Sequence, residues 1–219
     1  MAEAPASVQP TIDELVVADT PDAWRDCGFQ VEDGICEVGA VRLQFEPGES
    51  GRGIVGWSLR DLSGGELDGL PTKRSERSPV RAGEHPNGAL SIDHVVAFTP
   101  DLERTTDALR SAGLDFRRLR EGPTPGGSQR QSFFRMGEVV LEVIEAPPRS
   151  RISERPDDPA RLWGIAFLVR DLERPAAVLG ERLGRPRDAV QPGRRIAPLR
   201  KEAGLGPAVA FITPGPGAA

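Results

Sequence analysis

Internal repetition constrains this chain more than any other feature of its sequence. The segment Ile12 to Asp22, IDELVVADTPD, returns as IDHVVAFTPD from Ile92 to Asp101, with one extra residue in the first copy. A second pair links GIVGWSLRDL, Gly53 to Leu62, with GIAFLVRDL, Gly164 to Leu172. The later copies are themselves related, since DLER follows an apolar run at both Asp101 and Asp171. Self-similarity of this kind means one supersecondary unit repeated, here four times, with copies packing on each other to bury a face that none buries alone.

Periodicity gives the content of a unit. In the third, Ile92 to Phe98 is an apolar run of strand length, and Asp101 is an N-cap for the helical stretch LERTTDALRSAGL. Leu102, Ala108, Leu109 and Leu114 define one helical face, with Gly113 as the stop signal. Strands then fit Asp115 to Arg120, Gln129 to Met136 and Glu138 to Glu145, the last two joined by a tight turn at Gly137. The order is βαβββ.

The fourth unit repeats that order, with a strand at Leu162 to Val169, a helix at Leu172 to Leu183, RRIAPL in the middle and a last strand at Ala208 to Thr213. The first is shorter: helix Asp22 to Gly28, an EDGICEVG hairpin and a strand from Val41 to Glu46. The second is eroded, because PTKRSERSPVRAGEHPNG after Leu70 has no alternation and reads as loop. The expected organisation is a disordered N-terminus (1–10), a degenerate half (11–90, with loop over 70–90), a nearly complete half (91–214, with units 91–147 and 161–214) and a tail (215–219). Helices on one face of mixed sheets make the fold class α+β.

Composition agrees with this reading. The 25 glycines and 21 prolines favour short strands and many turns over a helical bundle. A net charge of −5 with interleaved signs leaves no broad footprint for nucleic acid. The basic runs FRRLR (Arg117, Arg118, Arg120) and PGRR (Arg194, Arg195) fit either solvated sheet edges or an anionic small ligand. Cys27 and Cys36 are too few for a disulfide framework and read as buried small side chains. Without a signal-like start or a run of about 18 apolar residues, a cytoplasmic protein with no membrane partner is expected. No GxGxxG after a strand, P-loop or nucleophile elbow occurs, so no nucleotide cofactor is implied.

Paired βαβββ units whose first strand reads IDHVV and whose last reads LEVIE before a proline resemble the vicinal oxygen chelate, or glyoxalase-like, superfamily. That group includes glyoxalase I, methylmalonyl-CoA epimerase, extradiol dioxygenases and the fosfomycin and bleomycin resistance proteins. The resemblance implies cupped mixed sheets, a small-molecule ligand or substrate, a protomer that can form a homodimer, and a divalent ion (Mg, Mn, Fe, Co, Ni or Zn) held by residues of the first and last strands.

Carried onto this chain, the resemblance gives His94 and Glu142 in the third unit and Glu14 and Gln44 in the first. The fourth unit has Gly164 and Ala210 in those places. Two readings follow. If the first and third units share one cup, His94, Glu142, Glu14 and Gln44 make a four-ligand set; if the third joins the fourth, only two ligands remain. The corresponding functions are a metal-dependent lyase, isomerase or epimerase acting on a small carbonyl compound, with His94 and Glu142 catalytic, and a metal-free small-molecule binder. His94 and Glu142 can also act together as a metal-free general acid and base. Arg130, Gln131 and Arg195 are the substrate candidates, for a carboxylate, phosphate or polar ring substituent. His85, beside Asn87 and Gly88, is expected in a surface turn. Trp24, Trp57 and Trp163 are expected to be packing residues.

Overall fold

The computed structural model describes residues 9–48, 52–124, 127–147 and 155–217. Of the expected disordered N-terminus, 1–8 lie outside the described residues, as do 218–219 of the tail.

The chain forms two mixed sheets. The first contains β1 (Thr11–Val17), β2 (Ile35–Val38), β3 (Val41–Phe45), β4 (Ile54–Arg60) and β5 (Thr72–Ser75), in the order β2-β3-β1-β4-β5, with α1 (Pro21–Asp26) after β1. The second contains β6 (Ser91–Thr99), β7 (Asp115–Thr124), β8 (Gly127–Met136), β9 (Val139–Glu145), β10 (Arg161–Leu168), β11 (Arg187–Asp188), β12 (Arg195–Pro198) and β13 (Ala208–Ile212). Its order is β11-β12-β13-β10-β6-β9-β8-β7, with α2 (Leu102–Ser111) and α3 (Glu173–Leu179) in the connections. Units join in chain order: β1 runs antiparallel to β4, and β6 antiparallel to β10. Within a unit the first and last strands are parallel neighbours, as in β6 with β9 and β10 with β13.

Segment 70–90, expected as loop, contributes β5, which lies parallel to β4 at the sheet edge. The second unit thus keeps a first and a last strand and has lost what lay between. Helix α3 stops at Leu179, short of the expected Leu183, and a 3-10 turn follows from Gly180, whose φ of +54 leaves the helical region.

Helix α2 starts as its sequence dictates, with the Asp101 carboxylate accepting from the Arg104 amide at 3.0 Å. Its buried face, Leu102, Thr105, Thr106 and Leu109, lies on β8 and β9, where Thr106 donates to Ser132 Oγ at 3.0 Å. One apolar core joins both halves. Phe29 lies 4.8 Å from the Phe167 ring of β10 and Trp24 of α1 lies 6.2 Å from it. Each large side chain buried there contributes about 1.5–3 kcal/mol.

His85 does not sit on the surface. It is 2% exposed, accepts from the Gln30 amide at Nδ1 (3.1 Å) and donates from Nε2 to the Glu37 carbonyl (2.9 Å). These partners assign the neutral tautomer, and burial pushes its pKa below the usual imidazole value despite the opposing Glu37 bond. Cys27 and Cys36 are free and buried, and burial pushes the Cys36 thiol up to about 12. Among the described residues no helix is long and apolar enough to cross a membrane.

Candidate functional site

The helix-covered face of the second sheet carries Val95, Leu141, Val143 and Phe134, all fully buried. The opposite, open face carries the alternate residues. Ladder partners share a face, so Val96, Glu142, Phe133 and Arg118 form one row across β6, β9, β8 and β7. Ile144, Gln131 and Arg120 continue the next row from Phe98.

A regular strand would send Asp93 and His94 to opposite faces. In β6, however, Ile92 and His94 face the adjacent residues Phe167 and Ala166 of β10, so Asp93 is the extra residue of a bulge. Both side chains reach the open face. His94 Nδ1 donates to Asp93 Oδ2 at 2.8 Å, and His94 Nε2 stands 3.9 Å from Glu142 Oε2. Glu142 Oε1 accepts from Gln131 Nε2 at 2.9 Å. The second oxygen of Asp93 binds Arg194, which is itself fixed to the Thr213 carbonyl (2.8 Å) and to Gln191 (2.7 Å).

Electrostatics separates the two acids. Burial raises the Glu142 pKa, and this outweighs the opposing pull of His94, Arg120 and Arg118. Burial opposes ionisation of Asp93 as well, but the bonds from His94 and Arg194 overcome it and its pKa is lowered. Asp93 therefore ionises more readily than a free carboxyl, and Glu142 less readily.

The sequence candidates are sorted by these facts. His94, Glu142 and Gln131 converge. Arg130 does not, because it points to the helix side and binds Glu103 of α2 (2.9 Å) and Glu145 (3.3 Å). Arg195 is exposed and alternates with Ile196, whose ladder partner Ile212 is on the open face, so Arg194 is the member of that pair that enters the site. Asp93 had no place among the candidates, since strict alternation hides a bulge, and Arg194 was named only within the basic run PGRR. Trp163 is not a packing residue: it is 43% exposed, with its ring 5.0 Å from that of Phe98 at 86°. It is the extra residue of the matching bulge in β10, the counterpart of Asp93.

The four-ligand set Glu14, Gln44, His94 and Glu142 does not form. Glu14 and Gln44 lie on β1 and β3 of the first sheet, and Glu14 is paired with Arg77 at 3.0 Å. The neighbouring Asp13 of β1 is fully buried against Arg60 and accepts from Ser75 at 2.6 Å. On the second sheet the counterparts of His94 and Glu142 are Gly164 and Ala210, which offer no donor. Gly164 also leaves no room, for a Cβ there would stand 2.8 Å from the Ala208 carbonyl oxygen. Among the described residues no group of three or more His, Cys, Asp or Glu is placed to hold a metal ion. The donor set does not fit the divalent ion that the resemblance implies.

Two joined βαβββ units with an ionisable cluster on the open face of one sheet define a protein of the glyoxalase-like fold. Residues 91–192 match the family model described as Glyoxalase/Bleomycin resistance protein/Dioxygenase superfamily. A xylose isomerase-like TIM barrel/4-hydroxyphenylpyruvate dioxygenase fusion protein overlays 98% of this chain on 51% of its own at 12% identity, with a TM-score of 0.64. That overlay shows a shared fold, and the chain spans about half of the fusion protein. Methylmalonyl-CoA epimerase from Mycobacterium tuberculosis is 18% identical over 63% of this chain and 94% of its own, with a TM-score of 0.49. A point variant of the Streptomyces coelicolor methylmalonyl-CoA epimerase, in complex with 2-nitronate-propionyl-CoA, is 22% identical over 58% and 97%, at 0.45. No curated protein matches the chain.

Proposed function

We propose that the open face of the second sheet is a small-molecule site where Glu142 moves a proton on a carbon beside a carbonyl group, an isomerase-type reaction run without a metal ion. The observation that carries this is the half-buried Glu142 carboxyl facing an imidazole whose other nitrogen is held by Asp93. In the reaction the Glu142 carboxylate takes the C–H proton and the C–H electron pair moves into the carbonyl, giving an enolate. Arg118 and Arg120, neither ion-paired among the described residues, supply the positive charge that favours it. His94 receives the proton from Glu142 at Nε2, directly or through a water, and Asp93 stabilises the resulting imidazolium. Returned to the same carbon on the face it left, the proton gives exchange; returned to the opposite face, it inverts that carbon, which is an isomerisation.

The test is deuterium uptake from solvent by a panel of 2-oxo and 3-oxo carboxylates, followed by proton NMR with chelator present. Exchange that persists in chelator and disappears in Glu142→Gln supports the reading, and exchange that needs an added divalent ion overturns it. A second reading, a metal-free binding protein, is favoured by the uncovered aromatic Trp163. It predicts ligand-induced thermal stabilisation in chelator with no exchange of any bound compound.

A further inference from the structure

Three tryptophans occupy this chain, and only one is uncovered. Trp24 and Trp57 are 0% and 1% exposed, with their indole N–H groups bound to Asp19 (3.0 Å) and Thr72 (2.6 Å). Trp163, at 43%, stands on the open face against the edge of Phe98. Val96, Phe98, Ile144 and Ala146 make a small apolar cluster beside it, separate from the main core. The open face thus has a direction. It is aromatic at β10 and β6, carries Glu142 and Gln131 at β9 and β8, and is cationic at β7, where Arg118 lies 4.9 Å over the Phe133 ring. From β10 to β7 is four strand spacings, roughly 19 Å between backbones, much of it spanned by the long side chains at either end.

We infer that the ligand of this face is an arylalkyl carboxylate lying across the strands, with its aromatic group on Trp163 and Phe98 and its carboxylate at Arg118 and Arg120. The inference deepens the proposed function, resting on the same face being a small-molecule site, and it names the substrate class. An aromatic ring gains edge and face contacts with Trp163 that a short aliphatic acid lacks. The two guanidinium groups favour an anion at the other end. A molecule so placed passes over Glu142, bringing the carbons between its two ends to the acid.

The probe is 4-phenylbutyrate, compared with 4-phenyl-1-butanol and butyrate. Acrylamide quenching of tryptophan emission reads Trp163, because the other two are buried. We expect 4-phenylbutyrate to protect Trp163, the alcohol to bind about tenfold more weakly for want of charge-assisted hydrogen bonds, and butyrate to have no effect. Calorimetry of Trp163→Leu and of the Arg118→Gln, Arg120→Gln pair should each show at least tenfold weaker binding of the acid. Equal affinity for acid and alcohol, no protection by the acid, or unchanged affinity in Trp163→Leu overturns the inference. Quenching that falls with protein concentration before any probe is added also overturns it, since a second copy would then cover Trp163. Glu142→Gln separates this inference from the catalytic reading. Protection retained in that variant without exchange in the wild type leaves the inference standing and sinks the proton transfer; exchange without protection does the reverse.

Discussion

Asp13 of β1 and Asp93 of β6 stand at the same bulge in the two sheets, and an arginine meets each of them. The outcomes differ. Around Asp13 the arginine is Arg60 of the neighbouring strand, buried and bound also to the Ile12 and Arg77 carbonyls, so the polar pocket is filled by the protein itself. Around Asp93 the arginine comes from the far unit and leaves His94 and Glu142 facing each other. One bulge has become a structural clamp, and its copy holds the candidate site.

The clamp should show in stability. Asp13→Ala strands the Arg60 guanidinium, 8% exposed in its side chain, without its carboxylate, and the expected loss is about 3–5 kcal/mol by urea denaturation. Replacing both residues with apolar ones, Asp13→Leu with Arg60→Met, should cost much less than that single change.

Glu142→Gln should raise the melting temperature at pH 7 and leave it nearly unchanged at pH 4. The folded pKa is raised above 4.5, so the unfolded chain releases this proton first. Stability from this group is full below the unfolded value and is lost as pH rises through the folded one. In the exchange assay the same substitution should lower the rate by about 100-fold or more.

His85 gives the opposite slope. Its folded pKa is lowered, so as pH falls below about 6.5 the unfolded chain takes up a proton that the folded one refuses, and stability declines until the folded value is passed. Wild-type protein should therefore lose stability between pH 7.5 and pH 5.5 in urea titrations. In His85→Gln that dependence should shrink, while the baseline drops by about 1–3 kcal/mol because Gln30 N–H and the Glu37 carbonyl lose well-placed partners.

Asp93→Asn tests the orientation of His94. The amide can no longer accept as an anion, and Arg194 is left partly unpaired. Nitrogen NMR of His94 should show the proton shared between the two ring nitrogens instead of held at Nδ1, and turnover should fall with little change in probe affinity. An unaltered His94 spectrum would remove the positioning role.

The fold was legible because repeated segments carry their own registration. IDELVV and IDHVV mark the first strands of two units, and Asp101 and Gly113 mark the ends of α2. The strand Thr72–Ser75 was not legible, since both faces of this edge strand are largely solvated and it has no apolar alternation to betray it. His94 and Glu142 were candidates through the family resemblance, and Gln131 was named beside Arg130 and Arg195 without a choice between the two faces of its strand. Asp93 escaped because a single extra residue reverses the side to which it points. His85 misled through its Asn-Gly neighbours: the turn is real, but Asn87 is itself fully buried and binds the Cys27 carbonyl at 2.9 Å, which carries the turn inside.

The crowding at Gly164 keeps the ionisable cluster of the second sheet on one side of its pseudo-symmetric pair of first strands. A histidine placed there to match His94 would press its Cβ against the Ala208 backbone, and Ala210 would still have to become a carboxylate in the same step. Neither change is useful alone, and the first opens the seam between β10 and β13. A second imidazole and carboxylate pair at these two positions is therefore closed to any single substitution.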